Sequence, residues 1–347
     1  MYFDKEAFLE PKVSQYGSHL VMTNVNKETK RKYINIDTRF RDDYNDISRT
    51  SHIENIITLP QTFTDVKSIM ICNAEIPITY YNISASLGNN AFSITYSGTS
   101  GSTPSGIAAN KPYVFVINDG IYDSSGLQYE INYQLKSYPS INFGSDIYFY
   151  LTNIIDVSGG SIPYSNSSTF YYSVFTSTSG LATINFALKG SYTCRGISTT
   201  VAPDFDKFHY KTKLGWLLGF RKQIQYLIPT GATGLKSESI LDLNGPRYLY
   251  IIVDEFSKGN QNSFISPLSN SIINKNILAR VNYDTKAHPY GSILSASIIT
   301  GTLLSDRRSY TGKIDIQKLK VQLVNEYGIP VNLNGLDFSF CLEVEHE

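Results

Sequence analysis

The sequence predicts an all-β protein: a jelly-roll-type antiparallel β-sandwich with a strand-rich insertion and one short helix. Three observations carry this expectation. Tyr (26) and Phe (18) far outnumber Met (3) and Trp (1), and Ser, Thr, Asn and Ile abound, a mixture that suits pleated strands and polar turns. The apolar runs are short and β-branched and are closed by Pro, Gly or Asn, as strands between turns are. The chain ends in two segments that alternate strictly, Leu319, Val321 and Leu323, then Phe338, Phe340, Leu342 and Val344, with polar or charged residues between them. Many short strands, turn-rich joints and little helix favour a sandwich over other layer architectures. At 347 residues, 41% hydrophobic and only 17% charged, the chain can bury a real core and lacks the composition of a disordered segment. Thirty basic and thirty acidic residues cancel, so no bulk field draws the protein to nucleic acid or anionic lipid.

In chain order, residues 1–32 are mixed in charge and weakly patterned, ending in the basic run Lys27–Lys32. They read as an arm whose apolar residues Tyr2, Phe3, Phe8 and Leu9 fill pockets on a neighbouring surface. The alternative is a strand added to the chain's own sheet edge. Strands are expected at Tyr33–Asp37, Ile56–Leu59, Val66–Ile76, Ile78–Ile83 and Phe92–Tyr96, with Asn89-Asn90 as a turn. The Gly-, Ser- and Pro-rich stretch from Ser97 to Ile107 should be an exposed loop. Asp123-Ser-Ser caps a helix in which Leu127, Ile131 and Leu135 recur at i, i+4 and i+8. Further strands follow at Ile147–Leu151, Phe170–Phe175 and Ala182–Leu188, then a compact apolar turn or short helix at Lys213–Arg221, then strands at Ile224–Ile228 and Tyr248–Val253. The change of texture near 200–212 suggests an organisation into an arm (1–31), a sandwich built from 32–96 and 205–347, and a β-rich insertion or second small domain (97–204). The two final strands are expected to pair through a long hairpin or a Greek-key crossing. With Phe340 inside and Glu343 on a wet face, Phe340→Ala should cost ~3–5 kcal/mol and Glu343→Ala under about 0.5 kcal/mol.

Motifs for chemistry are weak. The three cysteines (72, 194, 341) are far apart and suggest neither a disulfide framework nor a zinc site, which fits a reducing compartment. The N-terminus has acids where a signal peptide needs a basic then apolar stretch, and no apolar run approaches the ~18 residues of a membrane span. The sequons at Asn82 and Asn166 therefore read as chance. The five histidines share no helix face, there is no nucleophile elbow, and Gly101–Gly106 has phosphate-loop glycine spacing but Ile107 where the lysine must be. Asp42-Asp43-Tyr-Asn-Asp46 lacks the alternation and glycine of a calcium loop and reads as a solvated acidic loop. Arg39 and Arg41 extend the basic run and, with the arm residues, are the candidates for partner contact. Adjacent or alternating tyrosines, Tyr80-Tyr81, Tyr148, Tyr150 and Tyr171-Tyr172, must in part face outward, where Tyr is enriched at protein contacts.

Several segments are familiar. Lys32-Tyr-Ile-Asn-Ile-Asp-Thr-Arg-Phe-Arg-Asp42, Leu59–Ile69, Ala74–Tyr81 and Gly88–Phe92, with Leu214-Gly-Trp-Leu-Leu-Gly-Phe220, Arg247–Phe256 and Ile316–Glu345, resemble minor capsid proteins of large icosahedral double-stranded DNA viruses. The resemblance covers roughly 30–96 and 205–345 and consists of scaffold patterns. It implies a non-enzymatic protein, without cofactor or small-molecule substrate, that cements or spaces major-capsid capsomers in the inner shell. Its partners would be the major capsid protein and other minor capsid proteins; it would be assembled in host cytoplasm and reside in the virion. The residues also suit a rival, a carbohydrate-binding or adhesin module, because jelly rolls with exposed Tyr, Asn and Ser accommodate sugars.

Overall fold

A computed structural model describes residues 29–45, 54–98, 103–152, 155–157, 160–162, 171–188, 190–194, 197–201, 210–230, 234–256, 276–284, 287–312 and 314–347. The first strands are β1 (Lys30–Asp37), β2 (Asn55–Phe63) and β3 (Val66–Pro77). The middle of the chain forms β4 (Ala91–Tyr96), β5 (Pro112–Val116), α1 (Ser124–Lys136), β6 (Ile147–Thr152), β7 (Ile155–Val157), β8 (Gly160–Ile162), β9 (Tyr172–Ser177) and β10 (Ala182–Asn185). There follow β11 (Gly190–Cys194), β12 (Ile197–Val201), α2 (Leu214–Leu217), β13 (Gln225–Leu227) and β14 (Leu235–Ile240). The last part holds β15 (Tyr248–Asp254), β16 (Ile277–Asn282), β17 (Ile293–Ser297), β18 (Leu303–Ser305), β19 (Arg308–Ser309), β20 (Ile316–Asn325) and β21 (Ser339–His346).

Apart from two separate two-stranded sheets, β7-β8 and β11-β12, hydrogen bonding gathers the described strands into four sheets that face one another in pairs as two sandwiches. One sheet runs β1-β21-β3-β17, with β19 also on β3, and faces another that runs β18-β16-β15-β20-β2. Numbered by chain order within this sandwich, the eight principal strands lie 1-8-3-6 in one sheet and 2-7-4-5 in the other, every pair antiparallel. That order is the jelly roll. Its core includes Ile69, Ile71 and Phe340 from the first sheet and Leu249, Ile251 and Leu319 from the second. The second sandwich is inserted between the third and fourth jelly-roll strands. It sets β13-β10-β4-β5 against β14-β9-β6, over an aromatic core in which Phe115 meets Phe143 at 5.0 Å and Phe149 meets Phe175 at 4.7 Å. Asp123 caps α1 as expected, accepting from the Gly126 N–H at 2.7 Å, and Leu127, Ile131 and Leu135 are buried in this core. The helix also closes an edge: the Asn132 amide bonds both polar groups of Phe149 on β6, and Gln128 accepts from Leu151 N–H. Side-chain amides thus occupy backbone groups that would otherwise invite another strand.

Several expectations differ from what is observed, the first being the strand expected at Ile78–Ile83, which is irregular apart from an isolated bridge between Ile83 and Gly120. The division at 96/97 and 204/205 is displaced, because β4 pairs with β5 and β10, and α2 packs into the second core; the cores divide between Tyr80 and Ile83 and between Leu243 and Leu249. Alternation shows which face of a strand is apolar but not which sheet receives it. β20 and β21 do not pair: they lie in opposite sheets and meet only across the core. Ile107, at the end of the expected exposed loop, is buried against the second core. Finally, Glu343 is only 5% exposed, because Arg307 lies over it with Nη2 at 2.6 Å from Oε1. The arm residues Tyr2, Phe3, Phe8 and Leu9 lie outside the described residues, and β1 already begins at Lys30.

The core-facing register of both final strands is as expected, with Phe340 at 1% exposure. Phe340→Ala should therefore lower stability by ~3–5 kcal/mol through lost burial and a cavity. Glu343→Ala should cost about 1–3 kcal/mol instead of nothing, since it leaves the Arg307 guanidinium without its nearest partner. Chemical denaturation of both variants checks the pair, and a loss below about 0.5 kcal/mol for Glu343→Ala would contradict the buried contact.

Candidate functional site

Of the expected contact residues, the two arginines take unlike roles. Asp37 ends β1, buried, and grips Arg39 through both carboxylate oxygens, with Nη2 at 2.6 Å from Oδ2. Burial pushes the Asp37 carboxyl up, but the bonds and charge from Arg39 outweigh it and hold it below the usual range. The rest of Arg39 is exposed beside Phe40, itself 73% exposed, so this corner can meet a partner. Arg41 is buried: it donates to the Thr38 carbonyl at 2.8 Å and to Asp337 at 2.7 Å, tying the turn after β1 to the segment before β21. It is an internal brace. The acidic loop serves the fold too, as Asp42 accepts from the N–H and hydroxyl of Thr58 on β2.

The tyrosines divide between core and surface. Tyr80 is buried, whereas Tyr148 and Tyr150 stack side by side on the outer face of β6, and Tyr129 and Tyr133 stack on the exposed face of α1, the helix against that strand. Tyr129 is 71% exposed. Spacing implies that some of these tyrosines face outward without choosing among them; the helical pair at i, i+4 lies on the face opposite Leu127 and Ile131.

A cleft of about 500 Å³ lies between the two sandwiches. Its floor is the crossing of the two connecting segments, where Asn82 on the outgoing chain donates to the Tyr122 carbonyl at 2.9 Å and to the Leu243 carbonyl at 3.0 Å on the returning chain, and accepts from Tyr122 N–H at 2.9 Å. The inserted sandwich supplies Trp216 and Asp242; the jelly roll supplies Glu326, Tyr327 and Asn332. Trp216 is placed by the motif Leu214-Gly-Trp-Leu-Leu-Gly-Phe220. A Cβ at Gly215 would stand 2.6 Å from the Phe186 ring, and Gly219 turns the chain at φ +93° against the Ser239 carbonyl. Two glycines therefore let the turn press onto the core while the indole points to the cleft. Arg221 lies over that indole, 3.8 Å from its centroid, and donates to the Trp216 carbonyl.

The cleft is electrostatically mixed. Glu326 accepts from Arg247 N–H at 2.8 Å, yet burial dominates and raises its carboxyl above the ordinary value. Asp119 is raised for the same reason, against the bonds it accepts from Ala85 and Asn90. Lys211 and Arg247 are exposed on the rim. Among the described residues no group of three or more His, Cys, Asp or Glu side chains is arranged to hold a metal ion, and no helix is long and apolar enough to cross a membrane.

Fold and cleft together define a jelly-roll protein carrying an inserted β-sandwich at its third-to-fourth strand connection. No family model and no curated protein matches the chain. Among solved structures, the mavirus penton protein aligns with 92% of this chain and 100% of its own, at 10% identity and a TM-score of 0.41. A Sputnik virophage structure aligns with 92% of this chain and 98% of its own, at 15% identity and a TM-score of 0.40. The jelly-roll order is a property of this chain's own hydrogen bonding.

Trp216 is the sole tryptophan, so its fluorescence reports the cleft alone. Arg221→Ala should shift its emission to the red as water replaces the guanidinium, with a stability loss of about 1 kcal/mol. An unshifted spectrum would contradict the stacked arrangement.

Proposed function

We propose that the chain is a non-enzymatic structural protein of a viral capsid, specifically a minor component that cements or spaces major-capsid capsomers in the inner shell of a large icosahedral double-stranded DNA virus. The observation that carries this reading is the eight-strand jelly-roll order, an architecture shared by capsid and lectin domains. Most of the segments that resemble minor capsid proteins supply parts of the jelly-roll strands β1, β2, β3, β15, β20 and β21, while Gly88–Phe92 and Leu214–Phe220 lie in the inserted sandwich.

The surfaces suit the role. A capsid joint needs exposed aromatic area that costs little side-chain entropy to bury, and Tyr129, Tyr133 and Tyr148 on the inserted sandwich, with Tyr33 and Phe40 at the jelly-roll edge, provide it. The partners in this reading are the major capsid protein and other minor capsid proteins, with assembly in host cytoplasm and residence in the virion. Of the expected arm 1–31, Lys30 and Arg31 already pair with β21, and the part before β1, with Tyr2, Phe3, Phe8 and Leu9, would extend from the β1 edge onto neighbours, flanked by Arg39.

Mass spectrometry of purified virions stripped to their capsid shells, followed by density for the intact particle, tests this. The expected result is the chain at fixed stoichiometry beneath the major capsid layer. Its absence from the shells, or a location only outside them, would overturn the proposal.

A further inference from the structure

We propose that the cleft between the sandwiches is a carbohydrate site that receives a short oligosaccharide across the joint. This does not depend on the capsid reading. A pyranose presents apolar C–H faces and a ring of hydroxyls, so a site for it combines aromatic surface with amides that donate to or accept from a hydroxyl and carboxylates that accept from one. The cleft has that composition. Tyr81, Trp216, Tyr248 and Tyr327 bring aromatic surface from both walls and the joint, and Asp242 lines it from the inserted sandwich and Asn332 from the jelly roll.

Several of these groups are uncommitted. Among the described residues Tyr81 makes no hydrogen bond and no ring contact, although it is half-buried in the cleft. Asn332 uses its Oδ1 to accept from Asn334 N–H at 3.0 Å, which leaves its two amide hydrogens available. Asp242 accepts from Asn244 through Oδ1, which leaves Oδ2 to a hydroxyl. Other polar groups lining the cleft are held by the protein itself: Asn82 by Tyr122 and Leu243, and Asn325 by the turn at Tyr327 and Ile329. Lining groups fixed by the protein, set beside lining groups left open, preorganise a ligand site. The volume of about 500 Å³ lies inside the ~300–1,000 Å³ of small-ligand clefts. Charge argues for a sugar over a polyanion, since Asp119, Asp242 and Glu326 outnumber the rim cations Lys211 and Arg247.

The full chain, titrated with chitotriose, maltotriose, mannotriose and sialyllactose, is followed by Trp216 fluorescence. At least one of these should give a saturable change with a dissociation constant of about 1 mM or tighter. Tyr81→Phe, Tyr81→Ala and Asn332→Ala are compared with Tyr129→Ala, which lies outside the cleft, with melting temperatures recorded for all. Tyr81→Ala and Asn332→Ala should weaken binding at least ~10-fold at unchanged melting temperature, Tyr81→Phe should weaken it less, and Tyr129→Ala should leave it intact. No response to any of the four up to about 10 mM, or equal binding by Tyr81→Ala and the parent chain, overturns the proposal. Either failure leaves the capsid reading untouched, because that is read from the chain's place in the particle.

Discussion

The jelly roll must close around an interruption, and the rest of the molecule depends on how the chain gets back. Its third strand ends at Pro77 and its fourth begins at Tyr248, with an entire sandwich between them. Strand β15 must nevertheless return in register between β16 and β20, because a slip of one residue would turn Ile251 and Val253 out of the core. Asn82 makes the return definite. One side chain holds the outgoing segment, the Tyr122 turn and the returning Leu243 together, while Arg247 N–H is taken by Glu326 at the far end of β20. A long insertion costs only slowly increasing loop entropy, so what needs supplying is direction, and these bonds supply it. The same joint floors the cleft, which ties its shape to the closure of the fold.

Away from the joint, Arg308 pins the two sheets of the jelly roll to each other, while its neighbour Arg307 ties β3 and β21 within the first sheet. Arg308 opens β19 and Arg307 directly precedes it. Arg307 reaches the outer face, to Glu343, Glu345 and Ser68, and Arg308 reaches inward to Glu255 at 2.8 Å and to the carbonyls of Val253 and Ile277. Tyr310 completes the inner set with a 2.8 Å bond to Glu255, and burial together with that carboxylate pushes its phenol well up. β19 lies on the first sheet and the groups that Arg308 binds follow or belong to strands of the second, so Arg308 spans the sandwich. A buried ion pair adds little net stability over apolar packing but rejects arrangements that leave either charge alone.

What could be read beforehand follows a physical division. Local patterns were legible: the alternation of Phe338–Val344, the capped helix at Asp123 and the compact turn around Trp216 each depend on neighbours within a few residues. The overall class was legible for the same reason. Pairings that depend on distant partners were not. Phe92, Ile94 and Tyr96 alternate as any half-buried strand does, and nothing in them states that their partners are Phe115 and Ile184 rather than jelly-roll strands. Arg41 and Glu343 read as surface charges, because a side chain's burial depends on what is folded over it, here Asp337 for one and Arg307 for the other. The cleft escaped altogether, being assembled from five separate stretches of chain. A faint signal existed at Asn82, whose sequon reads as chance; the side chain is in fact 6% exposed, with both its oxygen and its nitrogen engaged.

The joint is therefore the place to test the account. Asn82→Ala, followed by small-angle scattering and calorimetry on the full chain, removes the shared bonds without touching either core. If Asn82 fixes the two sandwiches to each other, the variant shows a larger radius of gyration and two separated melting transitions where the parent shows one. Scattering and a single transition indistinguishable from the parent would show that the return of the chain, and the cleft above it, are held by something else.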